Sequence, residues 1–231
     1  MSKEITFTNV LGLDFFPPKP AVKEIPDWYK NTNEYVSEFG KKVNIENPES
    51  SSHTIKKCIP VFDAITTGYI LYTQVDVEVS QINGFPYYLW RDQNAISFHP
   101  ILQAPLHPAR DEAPYAKWNN PYAISTTPGY SVLITQPFHR ESVFTIFPGI
   151  IDTDKYTAPV NLPFTLNDVK WEGVIPAGTP MAQVIPFKRE SWKHKIGSDK
   201  ERREQSLVTS RLKTLFFNSY KRQFWSRKEY K

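Results

Sequence analysis

Between residues 75 and 80, Val75, Val77 and Val79 alternate with Asp76, Glu78 and Ser80. A period of two of this kind marks a β-strand with one face in the core and the other in water. Just before it, Gly68-Tyr69-Ile70-Leu71-Tyr72 is nearly all apolar and predicts a buried strand. Asn83-Gly84 then supplies a hairpin turn, with the return running through Tyr87 to Trp90. Arg91 to Asn94 makes the next turn and Ala95 to Phe98 another strand, so this part reads as an antiparallel meander. Tyr130 to Thr135 follows the Pro128-Gly129 turn, His139 to Ser142 forms a polar corner, and Val143 to Phe147 leads into the apolar run Gly149-Ile150-Ile151. The turn from Pro176 to Pro180 precedes Met181 to Ile185, a buried strand carrying one polar side chain, Gln183.

The pattern differs at the two ends. Ile5 to Asn9 suits a first strand, whereas Pro17, Pro18 and Pro20 remove backbone donors from the following stretch and suit docking along a surface. Ile25-Pro26-Asp27-Trp28-Tyr29 reads as the entry to a helix ending by Gly40, with Trp28 and Tyr29 as anchors to the β domain. Asn44 to Thr54 is a polar loop in which His53 is solvated, and Pro100 to Pro121 reads as a long proline-rich connection holding His99, His107 and Trp118. The histidines have no further ligands at interpretable spacing, so no metal site is expected. Beyond Phe187 a basic segment leads to a helix capped at Ser198-Asp199. There Val208, Leu212, Leu215, Phe216, Tyr220 and Phe224 recur at helical spacing as one apolar face. The expected organisation is an extended N-terminal segment with a short helix (1–57), a β domain (58–190) and a basic helical tail (191–231).

Composition supports the all-β reading: 14% aromatic residues, with 20 prolines against 9 glycines among 231 residues, suit many short strands joined by fixed turns. Cys58 is the single cysteine and cannot form an internal disulfide; its apolar neighbours Ile59 and Val61 suggest a core position. No apolar leader, bilayer-length run or glycosylation sequon is present, which points to a reducing, intracellular site of synthesis and to no membrane partner. The net charge of +4 is uneven, since residues 198–231 carry ten Lys/Arg against four Asp/Glu and the rest 18 against 20. Arg211, Lys221, Arg222 and Trp225 are therefore candidate contacts to a partner, nucleic acid among them. The other reading of the tail is that its apolar face packs on the domain or a neighbouring subunit.

Asp152 and Asp154 lie two residues apart, so both face one side if the preceding strand continues. Gly149, Ile150, Ile151, Asp152 and Asp154 match a dUTPase loop reading Gly-Val-Ile-Asp-x-Asp-Tyr, and Gly178, Ala182 and Gln183 match a later strand reading Ile-Ala-Gln. Over residues 147–187 the chain thus resembles the dUTPase and dCTP deaminase superfamily. That resemblance implies an all-β, β-clip fold and a homotrimer. It also implies Asp152 as the water-activating carboxylate, Asp154 beside it, and Tyr156 stacked on deoxyribose. Arg140, Ser142, Lys155 and Gln183 become candidate ligand or phosphate contacts, and Mg²⁺ enters only with a bound nucleoside triphosphate. Gly68, Tyr69 and Leu71 resemble a further motif, Ala-Gly-Tyr-Asp-Leu, with Ile70 in the place of its acid. Lys155 stands between Asp154 and Tyr156, and no Arg-Gly-x-x-Gly-Phe-Gly motif is present. Pro-Asp-Trp-Tyr-Lys and Gly-Thr-Pro-x-Ala-Gln-Val-Ile-Pro-Phe are also similar to a family of phages and bacteria to which no activity is attached, implying a phage-related origin.

The expectation is a dUTPase-like β-clip protein without pyrophosphatase activity, acting as an oligomeric binding or structural protein with no resident cofactor. An alternative is a nucleotide hydrolase or deaminase whose phosphate site is rebuilt from Arg140, Lys155, Lys188 and Arg189, which then converge near Asp152. A third reading is nucleic-acid binding through the basic tail.

Overall fold

The computed structural model describes residues 3–12, 16–35, 54–91, 94–103, 115–214 and 219–231, with the backbone alone for 101, 211–214 and 219. The strands are β1 Ile5–Asn9, β2 Lys19–Pro20, β3 Tyr69–Tyr72, β4 Val77–Ile82, β5 Phe85–Trp90, β6 Ile96–His99, β7 Tyr115–Trp118, β8 Tyr122–Thr126, β9 Tyr130–Thr135, β10 Phe144–Ile146, β11 Gly149–Ile151, β12 Leu162–Leu166, β13 Gly173–Ile175 and β14 Pro180–Lys188. The helices are α1 Asp27–Asn31, α2 Ile59–Thr66, α3 Asp199–Thr214 and α4 Ser219–Gln223. The chain forms two compact units: residues 1–24, 67–189 and 230, and residues 25–66, 190–229 and 231.

The first unit is all-β. Its strands pair as β11-β9-β14-β3-β2, β10-β12-β7-β6, β13-β4-β5 and β1-β8, every ladder antiparallel. β14 is central: Met181, Ala182, Gln183 and Val184 are all buried, so the strand reads as a continuous run with no wet face. In β4, Val77 and Val79 are buried and Glu78 is exposed, as the alternation in sequence predicts. Asn83 and Gly84 both take positive φ, 54° and 80°, the two-residue turn whose twist matches an antiparallel pair. Phe144, Phe164 and Trp118 anchor the core, with the Trp118 and Phe164 rings stacked at 4.7 Å between centroids.

The regular structure described in the second unit is helical. Tyr29 of α1 is buried, donates its hydroxyl to the Lys56 carbonyl (3.1 Å) and packs near Phe62 of α2, whereas Trp28 stays exposed. Glu201 accepts from both the Ser198 N–H (2.6 Å) and the Ser198 hydroxyl (2.8 Å), closing the expected cap of α3. Val208, Tyr220 and Phe224 are partly exposed, and Leu215 and Phe216 lie outside the described residues.

Several sequence expectations are corrected. The stretch from Pro100 to Pro121 is not merely a connection, since β7 within it is an inner strand and Trp118 a core residue. Residues 17–20 do not only dock, because Lys19–Pro20 pairs at the sheet edge with Tyr69 and Ile70, where a proline is tolerated. Cys58 is exposed rather than core. Its apolar neighbours start a helix, and the Cys58 carbonyl accepts the N–H groups of Val61 and Phe62 (3.1 Å each). His53, His107 and Gly40 lie outside the described residues. No described helix is long and apolar enough to cross a membrane.

Candidate functional site

The strand carrying the two acids stops at Ile151, and the chain turns instead of remaining extended. The N–H groups of Lys155 (3.0 Å) and Tyr156 (2.9 Å) both donate to the Asp152 carbonyl. Thr153 is the inward residue of this turn: it is wholly buried, its hydroxyl shares a hydrogen bond with that of Thr126 (2.8 Å), and its carbonyl accepts the Thr126 N–H (3.2 Å). Asp152 and Asp154 therefore project from either side of a pinned residue. A face argument for Tyr156 based on extended chain does not apply, because Lys155 and Tyr156 belong to the turn itself.

Both carboxylates meet Arg189, the residue after β14. Pairing of Lys188 with Tyr130 brings Arg189 beside the Pro128-Gly129 turn, where its N–H donates to the Gly129 carbonyl (2.9 Å). Its guanidinium forks onto Asp154, Nη1 to Oδ1 at 2.7 Å and Nη2 to Oδ2, and the Gly129 N–H adds a bond to Oδ2 (2.9 Å). The same Nη1 donates to the Tyr130 carbonyl and to the Ser131 hydroxyl (3.1 Å each) and lies 3.3 Å from Asp152 Oδ1. Ser131 donates its hydroxyl to that oxygen (2.6 Å). The Asp154 side chain is 6% exposed and that of Asp152 is 54% exposed, so one acid is spent inside the clamp and the other stands at its mouth.

The bonds from Arg189, then the Gly129 N–H, hold the Asp154 carboxyl well below the usual carboxylate range. The Ser131 hydroxyl first, with the charge of Arg189, lowers Asp152. Asp154 in turn raises Arg189. A carboxylate held this low is a weak proton acceptor, whereas a general base works best with a pKa near the operating pH.

The remaining candidates are dispersed. Arg140 bonds the Glu24 carbonyl through Nη2, and burial lowers its pKa against the charges of Tyr72 and Glu24. Ser142 caps a turn, its hydroxyl accepting the Phe144 N–H (3.2 Å). Lys155 and Tyr156 are exposed on the acid turn, and Lys188 is exposed at the end of β14. Gln183 is wholly buried between strands: its Nε2 donates to the Thr67 carbonyl (2.7 Å) and its Oε1 accepts the Phe138 N–H (3.0 Å). In the second unit, Trp225 donates its indole N–H to both oxygens of Asp63 (3.0 Å each), and Lys228 Nζ donates to Oδ2 at 2.5 Å. Lys221 Nζ lies 5.7 Å from the Trp225 ring centroid, and Arg222 is exposed in the last turn of α4. Arg211 belongs to α3 and its side chain lies outside the described residues. Of the four cations of a rebuilt phosphate site, Arg189 and Lys155 are at the acid turn; Arg140 is engaged elsewhere, at Glu24. Ser131 and Gly129 were not singled out in the sequence, where the Pro128-Gly129 turn was their one signal. Among the described residues no group of three or more His, Cys, Asp and Glu side chains is placed to hold a metal.

No family model and no curated protein matches the chain. Among solved structures, the dUTPase of EIAV matches at 13% identity over 58% of this chain and 84% of that chain, with a TM-score of 0.32. A variant dUTPase of phage phi11 of S. aureus matches at 14% identity over 58% of this chain and 85% of that one, TM-score 0.32. A variant dUTPase of Staphylococcus bacteriophage 80alpha, solved with dUpNHpp, matches at 13% identity over 58% of this chain and 76% of that one, TM-score 0.32.

Proposed function

We propose that this dUTPase-like β-clip protein lacks pyrophosphatase activity and acts as a homo-oligomeric binding or structural protein of phage-related origin; the dUTPase resemblance implies three copies. The observation that carries this reading is the use of the acid pair. Arg189 is committed in a fork to Asp154, which also takes the Gly129 N–H, while Asp152 accepts the Ser131 hydroxyl. Phosphoryl chemistry needs cations placed to hold the phosphates and the charge that develops on them. Here one guanidinium faces two carboxylates, and Arg140 sits with Glu24 instead.

The test is turnover by the purified full chain on a panel of ribo- and deoxyribonucleoside triphosphates with Mg²⁺, followed as pyrophosphate release and as deamination. The expected result is no turnover above the blank, unchanged in Asp152→Asn. Turnover that Asp152→Asn abolishes refutes the reading. It establishes instead the hydrolase or deaminase alternative, whose support is the exposure of Asp152 and the nearness of Arg189 and Lys155.

A further inference from the structure

The sheet of β13, β4 and β5 buries one face and leaves the other apolar. Val77, Val79, Tyr88 and Ile175 point into the core. On the opposite face the register sets Ile82 beside Phe85, Ser80 beside Tyr87, and Glu78 between Leu89 and Val174. Ile82, Phe85, Tyr87, Leu89 and Val174 are each 41–54% exposed. A contiguous apolar patch of this kind marks an interaction site rather than ordinary surface.

The patch is not designed for growth at its edge. In a two-residue hairpin the residues flanking the turn, Ile82 and Phe85, form a hydrogen-bonded pair, so the next pair, Gln81 and Pro86, turns its backbone groups outward. The missing N–H of Pro86 thus falls on the free edge of β5, which blunts it against strand addition. What is left is the face itself, with Glu78 as a carboxylate within it.

A complementary feature lies elsewhere in the chain. From Glu190 to Ser198 the backbone has no regular structure, and residues 190–200 are all exposed. Trp192 is 86% and Ile196 89% exposed, and Lys193 and Lys195 lie among them. An aromatic and an aliphatic side chain spaced by four along a segment without regular backbone structure, with Lys193 exposed between them, are what an apolar face bearing an acid takes up.

We infer that the β13-β4-β5 face is a docking surface for residues 190–197 of a second copy of this chain, with Trp192 and Ile196 covering the apolar positions and a lysine of the segment meeting Glu78. This rests on the homo-oligomeric reading above and specifies its contact. Each copy gives one segment and receives one, so the contact is heterologous; it closes into a ring or runs on, and each chain is buried twice. That doubling matters because a stable interface covers about 800 Å² per partner, more than one such segment supplies.

The test begins with the mass of the intact chain by light scattering across a concentration series. Trp192→Ser with Ile196→Ser on the segment, and Tyr87→Glu on the face, are each expected to weaken self-association at least tenfold while leaving the circular dichroism spectrum unchanged. Both changes are at exposed positions. In a Cys58→Ser background, Trp192→Cys protein mixed with Tyr87→Cys protein is expected to give oxidised heterodimers that neither gives alone. An oligomer that persists unchanged in both variants, with no mixed disulfide, refutes the docking surface and leaves the homo-oligomeric reading standing. A wild-type chain that is monomeric throughout overturns both.

Discussion

Replacing Gln183 with leucine separates a buried amide that holds strands together from one kept for a ligand. Gln183 is wholly buried, and its side chain satisfies the Thr67 carbonyl at 2.7 Å and the Phe138 N–H at 3.0 Å. In Gln183→Leu both partners lose these bonds. Each orphaned group costs about 1–3 kcal/mol, and the added apolar burial returns about 1 kcal/mol. The net loss is about 1–5 kcal/mol, or about 2–20 °C in Tm for a chain of this size. Urea unfolding should therefore show a lower midpoint with an unchanged m-value. Gln183→Glu adds a signed check. Its carboxylate keeps an acceptor for Phe138 but, ionised, has no proton for the Thr67 carbonyl, and burial raises its folded pKa above the unfolded value of about 4.3. A raised folded pKa contributes stability below the unfolded value that is lost as pH rises through the folded one. Gln183→Glu should thus approach wild type near pH 4 and fall well below it at pH 8. A leucine variant within about 0.5 kcal/mol of wild type refutes the argument, as does a glutamate variant without that slope.

Two other outcomes follow from the same geometry. The carboxyls of Asp154 and Asp152 are held below their ordinary values by Arg189 and by Ser131 respectively, so their stabilisation is present above about pH 4 and is lost as pH falls through the depressed folded values; Asp154→Asn should flatten the acid limb of urea midpoints measured from pH 2 to 6, and an unchanged limb counts against the clamp. Gly68 has φ of +70°, and a Cβ there would lie 2.0 Å from the Val184 carbonyl oxygen of β14, so Gly68→Ala should destabilise by more than about 4 kcal/mol, read as loss of soluble, folded protein.

The parts of the fold legible in the sequence are those where one face is wet. In the β4–β5 hairpin the alternation holds at Val77 and Val79 and Asn83-Gly84 forms the turn, although Val75 falls before the strand. β7 was hidden because Tyr115, Ala116 and Trp118 are all buried, which erases the alternation. β12 does alternate, Leu162, Phe164 and Leu166 being buried, but Pro163 argues against a strand. Its carbonyl accepts the Phe147 N–H (2.8 Å), so the backbone groups of Pro163 face a residue just past β10, where the missing donor breaks no ladder. For the site, the spacing of Asp152 and Asp154 drew attention to the right turn but for a strand geometry that ends at Ile151. Arg189 reaches it only because β14 and β9 pair in one register, and a local pattern carries no record of that pairing.

The same dependence decides what the acid turn does. Two carboxylates in a turn have no fixed role; the position of the nearest cations assigns one. If cations stand across a gap from the acids, the gap has a positive wall and an anionic phosphate chain can enter it. If a guanidinium contacts both acids, as Arg189 does, its charge is taken up by them, and these three groups sum to one negative charge, which Lys155 beside Asp154 offsets. On the reading proposed above, the guanidinium is then engaged where a phosphate site needs a free cation, while the pair joins the end of β14 to the turn after β11. Lys155 beside Asp154 lowers that acid further, and so strengthens the clamp more readily than it builds a phosphate site. On the reading proposed above, the feature that resembles a catalytic motif in sequence serves, through the residue that follows β14, as a fastening between strands.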